Sequence, residues 1–188
     1  MILGSHNSWS FRKPKKWWQR PFAFIGRCQR KNIRQQYEAG VRCFDLRIRP
    51  EYDAHAVAHG IFEYCELFDV LGDLAFLNEK QAYVRVIHEA RKEKEYNDIS
   101  INLFRLDCMD LERYFPEIKF WCGRNLFNWD VDYKFKYNPS CEENYSSVRK
   151  PRVIDDWWPW LYAKTHNRKI LKKGTDKDIL LIDFVDMS

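Results

Sequence analysis

With 188 residues, 45% of them hydrophobic and 31% charged, the chain is long enough to enclose one core and too short for two, so a single domain over residues 1–188 is expected. No apolar run approaches the roughly 20 residues of a membrane span. No signal peptide is expected either, because the first motif begins at the second residue: either the protein is cytoplasmic, as the chain is written, and peripheral to a membrane, or the sequence begins after a removed segment. The net charge of +5 conceals an asymmetry: residues 1–50 hold twelve Lys or Arg against two acids, while the rest of the chain is net negative. That bias points to an anionic partner, either a phospholipid surface or a nucleic acid.

In chain order, a short first strand leads into Gly4-Ser5-His6-Asn7-Ser8. Residues 11–24 are basic, aromatic and interrupted by Pro14 and Pro21, and read as a loop or short helix. Residues 29–39 read as a helix, with Ile33 and Tyr37 four apart and Gly40 placed to end it. Residues 41–48 read as a strand, followed by a loop through Pro50 to His59. Leu67, Val70, Leu71, Leu74 and Leu77 predict a helix over 66–77, and 82–88 is a β-rich run. A helix from Asp98 to Tyr114 follows, with Ile101, Phe104, Cys108 and Leu111 at helical spacing. Residues 118–122 and 131–135 read as short strands, 138–152 as irregular, and 179–185 as the final strand. Strands alternating with helices argue for parallel βα units. The six cysteines show no C-x-x-C pair and are expected to be reduced thiols.

Several of these positions carry chemistry. In extended chain, Val41, Cys43, Asp45 and Arg47 share one face while Phe44, Leu46 and Ile48 share the other. The apolar set suits a layer beneath helices, which turns Asp45 and Arg47 toward a barrel interior or the top of a sheet. A plain structural ion pair is the alternative. Asp183 interrupts an apolar strand, where a carboxylate needs a partner, and a histidine would be oriented by it. His6 and His59 are weak signals singly. Together with Asp45 and Arg47 they offer a base, an acid and a fixed positive charge, which is what phosphodiester cleavage requires. Trp17 and Trp18 beside Lys15 and Lys16 suit a membrane interface, with Trp157-Trp158-Pro159-Trp160 as a second aromatic cluster. Ordinary burial is the alternative for both clusters.

The order Gly4-Ser5-His6-Asn7-Ser8, Gln36 through Gly40-Val41-Arg42, Phe44-Asp45-Leu46-Arg47, His59-Gly60 and Ile182-Asp183-Phe184-Val185 resembles the phosphatidylinositol-specific phospholipase C family, in its X-domain or bacterial form. The resemblance covers residues 2–90 and the last ten. It implies an α/β fold, a TIM-type barrel that is incomplete or distorted, with fewer than eight regular units in so short a chain. It also implies His6 as general base, His59 as general acid, Arg47 on the phosphate oxygen, Asp183 orienting His6, and Asp45 holding the hydroxyl or the arginine. Calcium-dependent members carry a carboxylate where this chain has Arg47, so no metal is expected: a guanidinium and Ca²⁺ in one place would repel. Asn7 departs from the Asp of metal-free members, which would leave His59 less readily protonated. His88 is a candidate for contacting phosphate or inositol, and Arg85 or Glu89 would face the pocket instead if the strand is one residue out of register.

The leading expectation is therefore a phosphodiesterase acting on a phospholipid headgroup at a membrane surface, as a monomer. A catalytically weak, headgroup-binding relative is the second reading. A nucleic-acid-binding protein is the third and is disfavoured, since no DNA-binding motif accompanies the basic N-terminal portion.

Overall fold

The computed structural model of the chain describes residues 1–52, 54–123, 133–146 and 158–187. Eight strands form one sheet: β1 (Ile2–Ser5), β2 (Cys43–Glu51), β3 (Ala54–His59), β4 (Phe62–Glu66), β5 (Tyr83–His88), β6 (Lys119–Cys122), β7 (Cys141–Asn144) and β8 (Ile179–Ile182). Six run parallel in the order β6-β5-β2-β1-β8-β7. Among the described residues β6 and β7 do not pair, so the sheet is an incomplete barrel.

The covering helices are α1 (Ala23–Gly26), α2 (Ile33–Glu38), α3 (Leu71–Glu79), α4 (Asp98–Tyr114) and α5 (Pro159–Lys173). Asn32 and Asn97 cap α2 and α4, each closing a reciprocal pair with the residue three on, which satisfies amides that the first turn leaves open. Phe44, Leu46 and Ile48 meet Leu74, Leu77, Phe104 and Leu111 in the layer between sheet and helices. On the inner face, Cys43, Trp121, Ile179, Leu181 and Tyr145 form a smaller plug.

Four sequence expectations fail here. The segment read as a loop from Pro50 to His59 is the end of β2 and all of β3. Strand β1 ends at Ser5 opposite Phe44, so the same edge of β2 is open from Ile48 to Glu51 and pairs antiparallel with β3. Pro50 is tolerated because β5 pairing stops at Ile48 and no ladder donor is lost. Conversely, the Cys141-Glu142-Glu143-Asn144 stretch, too polar to read as a strand, is templated by the open edge of β8. Residues 133–135 are not a strand; Phe135 instead packs on Phe120 at 5.5 Å between centroids. The final strand stops at Ile182, and Phe184 takes a left-handed φ of 46° as the chain turns.

Candidate active site

Strand register builds the site. Ser5 lies opposite both Phe44 and Ile182, and Asp45 lies opposite Arg85. The next position on each strand therefore puts His6, Asp45, Asp183 and Arg85 in one layer at the strands' C-terminal ends. His59 arrives differently. Strand β3 runs antiparallel to β2, back toward the end of β1, and delivers its last residue beside His6. The two imidazole centroids are 5.4 Å apart, edge to face.

His6 Nδ1 lies 2.7 Å from Asp183 Oδ1, and Arg47 NH2 donates to His6 Nε2 at 2.8 Å. Guanidinium cannot accept a hydrogen bond, so Nε2 must carry the lone pair and Nδ1 the proton donated to Asp183. That is the tautomer a general base needs. The His6 ring is stacked on Tyr145 at 3.6 Å and is 2% exposed. Burial, then the charge of Arg47, holds its pKa well below the usual histidine value, whereas burial pushes the Asp183 carboxyl up.

Arg47 spans the pocket. Its Nε donates to Asp45 Oδ2 at 3.0 Å and its NH1 to Glu89 Oε2 at 3.3 Å. Asp45 Oδ2 also accepts from the Asn7 backbone amide at 2.9 Å, a contact for which Asn7 adopts a φ of 45°. Burial raises the Asp45 pKa, but Arg47 and Arg85 beside it bring the balance below the ordinary carboxylate value. Arg85 also pairs with Glu143 on β7. His59 Nδ1 donates to the Gly26 carbonyl at 3.1 Å, leaving Nε2 directed elsewhere. Burial, then Arg47, lowers the His59 pKa.

His6, His59, Arg47, Asp45, Asp183 and Arg85 are thus brought together. His88 is not. Strand alternation turns it to the outer face, where its ring stacks on Phe104 at 5.0 Å and lies 5.0 Å from Tyr96. Arg85 and Glu89 take the inward positions. Glu89 also accepts from the Gly60 amide at 2.6 Å, bracing the turn after His59. The side chain of Asn7 is buried, and among the described residues neither its amide nitrogen nor its oxygen has a hydrogen-bond partner.

Sequence reasoning missed Tyr145, Glu143 and Cys28, which carry no local signal because each is positioned by a strand or turn far away in the chain. Cys28 Sγ is 4.0 Å from His59 Nδ1, and burial raises its thiol pKa well above the usual value. Among the described residues, the group of metal-ligating atoms is His6, Cys28 and His59, all within 4.8 Å. A nitrogen–sulfur set does not suit Ca²⁺, which takes oxygen ligands.

At the rim, Trp17 is 78% and Trp18 51% exposed, so burial does not account for this pair. Lys15 and Lys16, expected to face lipid freely, are engaged by Glu66 and Glu63 on β4. With Arg12–Asp73 and Arg49–Glu63, these pairs set three acids from outside residues 1–50 against part of the N-terminal charge. Beside His59 an apolar cavity of about 430 Å³ runs between Trp18, Phe22 and Ile25 on one wall and Ile61 and Phe62 on the other. Trp157 lies outside the described residues; Trp158 is 43% exposed. None of the described helices is long and apolar enough to cross a membrane.

No protein-family model matches this sequence, and no curated protein matches it. Solved structures do. The chain resembles the phosphatidylinositol-specific phospholipase C from Listeria monocytogenes with a TM-score of 0.62 at 17% identity, over 97% of this chain and 87% of that one. It resembles a mutant of the phosphatidylinositol-specific phospholipase C from Staphylococcus aureus with a TM-score of 0.61 at 16% identity, over 97% and 84%. At such identities the likeness shows the fold: an α/β, TIM-type barrel, here incomplete.

Proposed function

We propose that this protein is a metal-independent phosphodiesterase that cleaves phosphatidylinositol or a related phosphodiester while docked, as a monomer, on a phospholipid surface. The observation that carries the reading is a His6 Nε2 that carries the lone pair and accepts from the Arg47 guanidinium, with a second imidazole 5.4 Å away between ring centres. The solved structures it resembles are of phosphatidylinositol-specific phospholipases C, one in a study of membrane binding.

In this mechanism Arg47 swings from His6 Nε2 onto a non-bridging phosphate oxygen when substrate enters. His6 Nε2 takes the proton of the inositol 2-hydroxyl, and Asp183 stabilises the imidazolium through Nδ1. The freed oxygen attacks phosphorus, the bond to the glycerol oxygen breaks, and His59 Nε2 gives that oxygen its proton. The products are a cyclic inositol phosphate and diacylglycerol. Charge developing on the phosphoryl oxygens is met by Arg47, which Asp45 and Glu89 hold in place. The apolar cavity beside His59 lies where the leaving diacylglycerol needs cover.

A catalytically weak, headgroup-binding relative is the second reading. It is favoured by the unpartnered Asn7 side chain, in the position where metal-free relatives carry the carboxylate that supports the acid histidine. Phosphorus NMR of the products from phosphatidylinositol vesicles, with and without chelator, decides between the readings. A cyclic phosphate formed in chelator supports the enzyme; vesicle binding without any phosphorus product favours the binder.

A further inference from the structure

We propose that a second anion site, separate from the His6–His59 pair, lies between the 20–30 segment and the start of α5, and that it takes the phosphate of an anionic phospholipid. This rests on the membrane-docking half of the reading above and not on the chemistry at His6.

Phe24, Trp158, Trp160 and Phe184 wall a cavity of about 470 Å³, and Arg20, Arg27 and Arg30 line it. Among the described residues none of these three arginines has a carboxylate partner; Arg20 donates only to the Pro14 carbonyl at 3.4 Å. The contrast with Lys15 and Lys16, both paired to glutamates, is marked. Two donors on residues of the cavity wall, Arg27 Nε and Trp160 Nε1, are buried and have no acceptor among the described residues. Buried donors are nearly always satisfied, and a phosphate oxygen would reach these two once the side chains covering them shift. Arg30 completes the set, its guanidinium 5.8 Å from the Trp160 ring centre and 5.5 Å from that of Phe184. Uncompensated guanidinium forks match phosphate oxygens.

The aromatic walls argue for a lipid phosphate over a free one. Phe24 contacts Trp158 at 5.4 Å, and both are more than two-fifths exposed, as are Trp17, Trp18 and Phe22 along the same segment. Indole and phenyl rings at headgroup depth would seat the cavity against the bilayer surface. None of the residues lining the cavity belongs to the catalytic layer, although Phe184 follows Asp183, which bonds His6.

The test is partitioning onto vesicles of phosphatidylcholine alone and of phosphatidylcholine mixed with phosphatidylglycerol. Wild type should prefer the mixed vesicles. Arg27→Gln and Trp160→Phe should each weaken that preference, Arg27→Gln by about fivefold or more. Lys172→Gln is the control: it removes the same charge from the last turn of α5, roughly 20 Å along the helix axis, and should leave the preference unchanged. Glycerol 3-phosphate should move the Trp160 Nε1–H signal saturably in ¹⁵N indole spectra, and this response should vanish in Arg27→Gln. Equal loss in Arg27→Gln and Lys172→Gln would overturn the site in favour of diffuse charge. A saturable indole shift with no vesicle preference would overturn the lipid source in favour of a free phosphate. Absence of vesicle binding by any form would instead sink the docking reading itself, whatever the turnover.

Discussion

Arg47 NH2 donates to His6 Nε2 at 2.8 Å, so in the resting site the future phosphate ligand occupies the lone pair of the future base. Substrate must exchange one for the other, and the guanidinium is anchored at its other nitrogens by Asp45 and Glu89. Arg47→Ala removes the hydrogen-bonded counter-charge of both buried carboxylates, leaving Asp45 only Arg85 at 3.7 Å, and should cost about 3–5 kcal/mol of stability. Arg47→Lys keeps the charge but loses the fork. It should remain folded and lose about 10²–10³-fold in kcat, as for removal of a preorganised oxyanion donor. Unchanged turnover in a folded Arg47→Lys protein contradicts the assigned role.

Replacing either imidazole separates chemistry from docking. His6→Ala and His59→Ala should each lower cleavage of phosphatidylinositol by about 10²–10⁴-fold, with vesicle partitioning retained. Sedimentation with vesicles alongside a product assay reads both quantities on one sample.

The pH profile follows from the direction of two shifts. His6 acts as base, and its lowered pKa keeps it unprotonated well into acid. His59 acts as acid, and its pKa is also lowered from 6.5, so its protonated form is lost as pH rises through a value below 6.5. Activity should therefore peak on the acid side of 6.5 and fall toward neutrality. Asn7→Asp would add a carboxylate to support the His59 imidazolium and should move the alkaline limb upward. A kcat/KM profile of both proteins checks the sign.

His88 packs on Phe104 and Tyr96, outside the pocket. His88→Ala should cost about 1–3 kcal/mol of stability, read from denaturant midpoints, and leave kcat for the folded protein unchanged. A selective loss of kcat would return His88 to the site.

Gly123 follows β6 where the Arg85 guanidinium crosses the barrel interior, and a Cβ there would collide with that side chain. Gly123→Ala should destabilise by about 1–3 kcal/mol. It should also lower turnover, because Arg85 would be pushed toward Asp45 and the Arg47 pair. Gly72→Ala, where a Cβ meets nothing, is the matched control for helix α3.

Local pattern alone determined much of this protein. The alternation in residues 43–48 separates a helix-facing apolar row from an inward polar one, and the helix Asp98–Tyr114 stands where its spacing placed it. The lone carboxylate in the last strand segment pointed to a histidine partner, and His6 is that partner. These succeed because burial on one face leaves a periodic trace in sequence. What tertiary structure alone decided is the set of groups whose neighbours are distant in the chain. An open edge of β2 makes a strand of Ala54–His59 and carries His59 to His6. The edge of β8 makes a strand of Cys141–Asn144, which then delivers Tyr145 onto the His6 ring. Register, not residue type, put His88 outside and Arg85 with Glu89 inside. Side chains alternate with period two, so a one-residue ambiguity that sequence cannot resolve becomes a choice between pocket and core once the strands pair.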